Sequence, residues 1–194
     1  DFSHFLVISG QDYPVQSVGG LLQFLSGHLN KSLLGFTPLS KSGWSVARKR
    51  YWYHYYVPAE KLRRGLMMLM GIRRKFPLGL KPFGGPQWIN LAREHMDYIL
   101  DFCDNNPPLL KFLQSARFPE EMIFQTLLLN SHFKNDCINN DLRYVKWLPG
   151  KSNPEILTAR DWDAIHQAND KFFARKFDLK QSADLIERLD QMQK

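Results

Sequence analysis

Cysteine is scarce in this chain: Cys103 and Cys137 are the only two in 194 residues. That is too few for a disulfide framework, and both read as small buried thiols. Long hydrophobic runs are missing as well. No stretch approaches the ~18 apolar residues that a membrane helix requires, and the basic and apolar regions of a signal peptide are absent. The histidines His4, His28, His54, His95, His132 and His166 fall at no metal-ligand spacing, so the sequence predicts chemistry without a metal. There is no glycine-rich nucleotide loop and no serine nucleophile elbow. Zinc spacing, an RNA-binding aromatic signature and a helix-turn-helix pattern are also lacking, so no nucleic-acid partner is expected. Internal repeats and low-complexity segments do not occur. Acidic residues are the minority, 19 against 26 basic ones, which leaves a net charge of +7.

Much of that excess sits in Arg48-Lys49-Arg50 and in Lys61, Arg63, Arg64, Arg73, Arg74 and Lys75. It can solvate a helix face, or attract an anionic small molecule such as a nucleotide sugar or a membrane surface. A hydrophobic content of 44% with 13% aromatic residues excludes a disordered tail. The length suits one well-buried core and a single domain over 1–194. The chain opens on Asp1 with an apolar run close behind, so a truncated beginning is expected. Asn30-Lys31-Ser32 forms a glycosylation sequon, which matters only in a secreted chain.

Phe5–Ile8 reads as a strand buried on both faces, as in a parallel sheet. Val18 to Leu29 reads as a helix weakened by Gly19 and Gly20, and Leu33 to Gly43 as a loop. The aromatic run Tyr51–Val57 has strand propensity. Pro58 and Glu60 suit the start of a helix from Ala59 to Met70. Phe76 to Pro86 is broken by prolines and glycines. Trp88 to Phe102 places Trp88, Leu91, Ala92, Met96, Ile99 and Phe102 on one helical face, and Asn105-Asn106-Pro107-Pro108 stops that helix. Another helix is predicted from Pro119 to Ser131, a strand over Leu142–Trp147, a helix from Asp161 to Phe173, and an amphipathic tail from Leu179. Strands alternating with helices give an α/β or α+β domain.

Three stretches carry candidate chemistry: Ser9–Pro14 (SGQDYP), Pro119–Thr126 (PEEMIFQT) and Phe172–Asp178 (FFARKFD). Asp12 follows an apolar strand at its carboxyl end, where open α/β sheets bind ligands, although the residues alone favour the ordinary job of an Asp in a turn, bonding its own backbone in an Asx-turn. Glu120 and Glu121 sit in a first helical turn. The dipole favours acids there and keeps a carboxylate ionised, as a general base must be. Arg175 and Lys176 lie between Phe173 and Phe177. They suit a diphosphate, Arg through a forked bond and Lys as a point charge, or simply a helix C-terminus. An acid that can act as base, together with cations that can hold a leaving phosphate, suggests group transfer.

These stretches resemble the core-2/I-branching β-1,6-N-acetylglucosaminyltransferase family, which includes peptide O-xylosyltransferases. SGQDYP resembles the family's S-x-x-D-[YF]-P. Gly84–Leu100 (GGPQWINLAREHMDYIL) resembles G-S-x-W-x-x-L-S-R-x-x-x-x-Y, with Arg93 and Tyr98 in place. PEEMIFQT resembles P-[DE]-E-x-x-F-x-T, and FFARKFD contains the closing F-A-R-K-F. The resemblance covers roughly 5–178. It implies a GT-A-like, Rossmann-related fold, here lacking the family's N-terminal nucleotide-binding strands, and metal-independent inverting transfer from a UDP-sugar. No cofactor is implied beyond that donor.

The family's base falls on Glu121 and its diphosphate lysine on Lys176, with Arg175 beside it and Asp12 on the donor side. Where the family has a second phosphate-binding arginine, this sequence offers Lys151. Acceptor contact maps onto Arg50, and Trp88 is a candidate for stacking on a sugar. The reading requires Glu121 and Lys176 to face a common cleft wide enough for a hexose. UDP-N-acetylglucosamine is the first expected donor and UDP-xylose the second, with a glycan or other hydroxyl as acceptor. A basic carbohydrate-binding module without catalysis is the alternative. Gly84-Gly85-Pro86 departs from the usual Gly-Ser. The cysteine-rich character of the animal enzymes is also missing, which resembles a bacterial member. Such a member would be cytoplasmic or membrane-associated through segments outside this chain, and a eukaryotic one would lie in the Golgi lumen.

Overall fold

Four consecutive apolar or amide residues, Ile89–Ala92, are all buried and form a central strand rather than the start of a helix. A continuous buried run of this length has no periodicity that distinguishes strand from helix. The computed structural model describes residues 1–40, 48–151 and 153–192. Contacts divide the chain into two units, one of Asp1–Phe5 and Asn30–Asn139, the other of Leu6–Leu29 and Asn140–Lys194. Both mix helix and strand, so the α/β class expected from the alternation is present.

The first unit holds a sheet ordered β1 (His4–Leu6), β6 (Ile89–Ala92), β3 (Ser32–Leu34), β7 (Cys137–Ile138). β3 runs antiparallel to β6, with Leu33 opposite Asn90, and parallel to β7. A second ladder pairs β4 (Thr37–Pro38) with β5 (Phe83–Gly84). Around these lie α2 (Lys49–Trp52), α3 (Glu60–Leu69), α4 (Arg93–Asn105), α5 (Pro107–Leu113) and α6 (Ile123–Leu129). Leu33, Leu34, Ile89, Leu91, Leu127 and Leu128 are fully buried.

The second unit holds a sheet ordered β2 (Asp12–Pro14), β9 (Phe173–Arg175), β8 (Arg143–Val145), with β2 antiparallel and β8 parallel to β9. Its helices are α1 (Val18–Ser26), α7 (Trp162–Gln167) and α8 (Ala183–Met192). Val15, Leu157, Ile165, Ala174, Phe177, Leu185 and Leu189 make its core. The polar tail is thus a packed helix.

Several expectations are corrected. β1 is an edge strand with Phe5 exposed, and Ile8 beyond its end is exposed too, so Phe5–Ile8 is not a strand buried on both faces. Leu33 opens no loop but lies in β3, and the predicted loop's last residues, 41–43, fall outside the described residues. Tyr51–Val57 forms no strand: α2 ends at Trp52, and Tyr51 instead packs edge-on against Phe76. β-propensity measures how well a side chain packs, and these rings pack without a ladder. The helix from Asp161 stops at Gln167, so Arg175 lies in a strand and not at a helix C-terminus. The helix from Pro119 is a 3-10 turn broken from α6 at Met122, whose φ is -134°.

Candidate active site

In the first unit the acid pair is set by the backbone around Phe118. Phe118 adopts φ 55° and ψ 57°, a left-handed conformation that is uncommon outside glycine, and it leads straight into Pro119. The turn Pro119–Glu121 follows, with the Glu121 amide donating to the Phe118 carbonyl at 3.1 Å. The Glu121 carbonyl accepts from the Gly85 amide at 3.0 Å. The Glu121 carboxylate forms an ion pair with Arg50, and both side chains are about a quarter exposed (27%). Arg50 also lies 5.1 Å over the Phe118 ring, which Arg117 approaches at 5.0 Å. No ion pair joins Glu120 among the described residues. Of the two acids, Glu121 is the one held in a fixed place.

Gly85, which falls on the motif's glycine while Pro86 stands at its serine, answers to close approach. A Cβ there would stand 1.9 Å from the Gly35 carbonyl oxygen and 3.0 Å from Gln125 Nε2. Gln125 is buried and donates to the Pro86 carbonyl at 2.9 Å. Thr126 closes the motif by holding the Phe83 backbone through its hydroxyl. The β4–β5 ladder and the Glu121 turn are therefore laced together. Trp88 is half-buried just ahead of β6, and not on the face of α4 where periodicity put it.

The second unit carries the cations. Asp12 faces Arg175 across the β2–β9 ladder, and its carboxylate, 2% exposed, lies 3.3 Å from Arg175 and 3.5 Å from Arg143. The Ser9 amide also donates to it at 2.8 Å, the ordinary turn contact. Donor contact was expected of Asp12. Burial beneath two guanidinium groups makes it instead the residue that fixes Arg175 and Arg143. Arg143 is fully buried, bonded to the carbonyls of Asp141 and Val7, and desolvation pulls it below the usual arginine range.

Lys176 follows β9 and is held by its own backbone, whose carbonyl accepts from Leu157 at 2.8 Å. It lines a cavity of about 500 Å³ with Lys146, Arg160, Glu155, Thr158 and Asp161 among the walls. Neither Lys176 nor Arg160 has an ion-pair partner among the described residues. Lys146 does, at 2.5 Å from Asp161. Burial pushes the Asp161 carboxyl up, but the bonds from Lys146 and Thr158 outweigh it and hold it below the usual carboxylate range. Three cations face two carboxylates, which leaves one net positive charge. Lys151, expected as the second phosphate cation, is exposed and is not among these walls.

Sequence reading missed Arg143, Lys146 and Arg160. The Thr158-Ala159-Arg160-Asp161 capping box was a usable signal for the turn that presents Arg160. Glu121 belongs to the first unit and Lys176 to the second.

A partly exposed acid in a fixed turn and unpaired cations around a cavity are the parts that a group-transfer enzyme needs. A model of the Core-2/I-Branching enzyme family matches residues 1–175, and the chain belongs to that family. It is similar to Beta-glucuronosyltransferase GlcAT14A of Arabidopsis thaliana, 29% identical over 180 residues, which cover 91% of this chain and 40% of that protein. It is also similar to Xylosyltransferase 1 of Homo sapiens, 26% identical over 202 residues, covering 96% of this chain and 20% of that protein. The Xylosyltransferase of Ciona intestinalis is 23% identical over 205 residues, covering 98% of this chain and 23% of that protein. The chain spans less than half the length of these relatives. They come from a plant and from animals and lend no support to the expected bacterial origin.

Proposed function

We propose that this chain is part of an inverting glycosyltransferase with a GT-A-like fold, which moves a sugar from a UDP-sugar to an acceptor hydroxyl. The Glu121 carboxylate takes the acceptor's proton as its oxygen bonds to the anomeric carbon and the bond to UDP breaks. Arg50 keeps that carboxylate aimed. Lys176, with Arg160 and Lys146 around the same cavity, takes up the charge of the departing UDP, and Arg175 supports it from β9. Trp88 is the aromatic candidate for contact with a sugar. The observation that carries this reading is the unpaired Lys176 ammonium on a cationic cavity, within the motif where the family resemblance puts the diphosphate lysine.

The relatives' names favour a glucuronosyl or xylosyl donor over N-acetylglucosamine, and the plant relative puts UDP-glucuronate first. Both units would then belong to one catalytic domain, and the transfer would proceed on protein cations without a divalent metal. A panel of radiolabelled UDP-sugars, assayed with and without a chelator, tests this. Transfer from UDP-glucuronate or UDP-xylose that survives chelation is the expected result. No transfer from any UDP-sugar by the full-length protein overturns it.

A further inference from the structure

α3 is a helix without a core. None of the ten residues of Glu60–Leu69 is buried, and a helix of that length is marginal in water on its own. Leu62, Leu66 and Leu69 recur at helical spacing and are 75%, 52% and 85% exposed. Met70 and Ile72 continue the apolar surface at 53% and 47%. Successive residues turn by about 100°, so Lys61 and Arg63 flank the leucine stripe, one on each side. Arg73 and Lys75 follow just beyond the helix. Arg64 points away from the stripe, tied to Glu60 at 2.6 Å.

The helix is nevertheless held at both ends. The Tyr56 amide donates to the Glu60 carboxylate at 2.9 Å ahead of it. Behind it the Arg74 guanidinium donates to the carbonyls of Tyr53, Ser115 and Phe112, and lies 3.9 Å over the Phe112 ring.

We propose that α3 is a membrane-contact helix that lies in the surface of an anionic bilayer. The leucines would enter the boundary between headgroups and acyl chains while Lys61, Arg63, Arg73 and Lys75 meet lipid phosphates and carboxylates. Charge complementarity names this occupant. A neutral apolar groove would use the leucines alone, and a soluble polyanion the cations alone. A bilayer carrying acidic lipid engages both in one geometry. This inference does not depend on the proposed reaction.

Co-sedimentation of the full-length protein with vesicles of phosphatidylcholine, or of phosphatidylcholine with phosphatidylserine, tests it. Binding should require phosphatidylserine and weaken as salt rises. Leu66→Glu with Leu69→Glu, and separately Lys61→Glu with Arg63→Glu, should each lower the bound fraction about tenfold or more. All four side chains are exposed, so both variants should keep the far-ultraviolet circular dichroism of the parent. Equal binding to both vesicle types, no binding to either, or binding unchanged by the glutamates overturns the proposal. So does self-association on size exclusion that the leucine variant abolishes, which makes the face a contact between copies. Heparin binding that ignores the leucines, without vesicle binding, assigns the cations to a soluble polyanion and overturns it as well.

Discussion

Arg50 and Glu121 stand 71 positions apart in the chain, yet their side chains form one ion pair, with both partly open to solvent. The pair is braced on each side. The Arg117 amide donates to the Arg50 carbonyl at 2.8 Å, and the Gly85 amide donates to the Glu121 carbonyl at 3.0 Å. A carboxylate so fixed has little orientational freedom left to lose when a substrate arrives, which is the condition for efficient proton abstraction.

Replacing the acid without disturbing its shape separates chemistry from binding. Glu121→Gln should lower turnover by about two orders of magnitude or more, while UDP affinity stays nearly constant. Arg50→Ala should also slow transfer, with an increase in acceptor KM that Glu121→Gln does not produce. Steady-state kinetics with the best donor of the panel read both effects. Full activity in Glu121→Gln removes it from the role of base.

The second unit makes a prediction that ranks its cations. Lys176→Ala and Arg160→Ala should each weaken UDP by about 10- to 100-fold, the range expected for one charge-assisted bond. Lys151→Ala, which lies outside the cavity walls, should change affinity by less than about twofold. Calorimetric titration with UDP gives the order directly. Equal losses at Lys151 and Arg160 would return the second phosphate contact to the loop that sequence spacing suggested.

The mixed class is legible in the sequence, and the two candidates for its chemistry are marked locally. Glu121 is announced by Phe-Pro-Glu-Glu, and Lys176 by its frame of phenylalanines. What the sequence concealed depends on partners distant in the chain. Asp12 looked like a ligand-facing acid because nothing nearby predicts Arg143, 131 positions on, as its buried neighbour. Ile89–Ala92 reads as part of the following helix because Trp88, Leu91 and Ala92 fit that helix's apolar spacing, yet all four residues are buried in a strand. Tyr51–Val57 misled in the other direction, since aromatic density is equally suited to ring packing and to a ladder. Arg160 lies just ahead of the helix expected from Asp161, and only the fold of Thr158–Asp161 puts it beside Lys176.

His95 should make the fold sensitive to mild acid. Its ring is buried, with Nδ1 2.6 Å from Ser32 Oγ, and it packs on Phe133 at 4.2 Å. Desolvation holds its pKa below 6.5, against the pull of Asp136 and Glu94 and with the help of His132 and Lys31. Because the folded value lies below the unfolded one, the unfolded chain takes the proton first as pH falls. The stabilisation is complete above about pH 6.5 and declines below it, by at most ~1.4 kcal/mol per pH unit. Thermal melts between about pH 7.5 and pH 5 should show a falling midpoint that His95→Asn flattens. An equal slope in the variant would assign the acid sensitivity to other groups.

Gly85→Ala tests whether the glycine at this position is a matter of space. The added methyl would lie 1.9 Å from the Gly35 carbonyl oxygen and 2.8 Å from its carbonyl carbon. Both are backbone atoms of the segment between β3 and β4, so no side chain can rotate away. Either the β4–β5 ladder must part or the Gly85 bond to the Glu121 carbonyl must break. Overpacking of this kind costs about 1–3 kcal/mol, visible as a lower midpoint in urea with an unchanged slope. Loss of the Gly85 tether would also let the Glu121 turn move, so turnover should fall beyond what the unfolded fraction explains. A Gly85→Ala protein as stable and as active as the parent would mean that the ladder has room, and that the glycine is not required by packing.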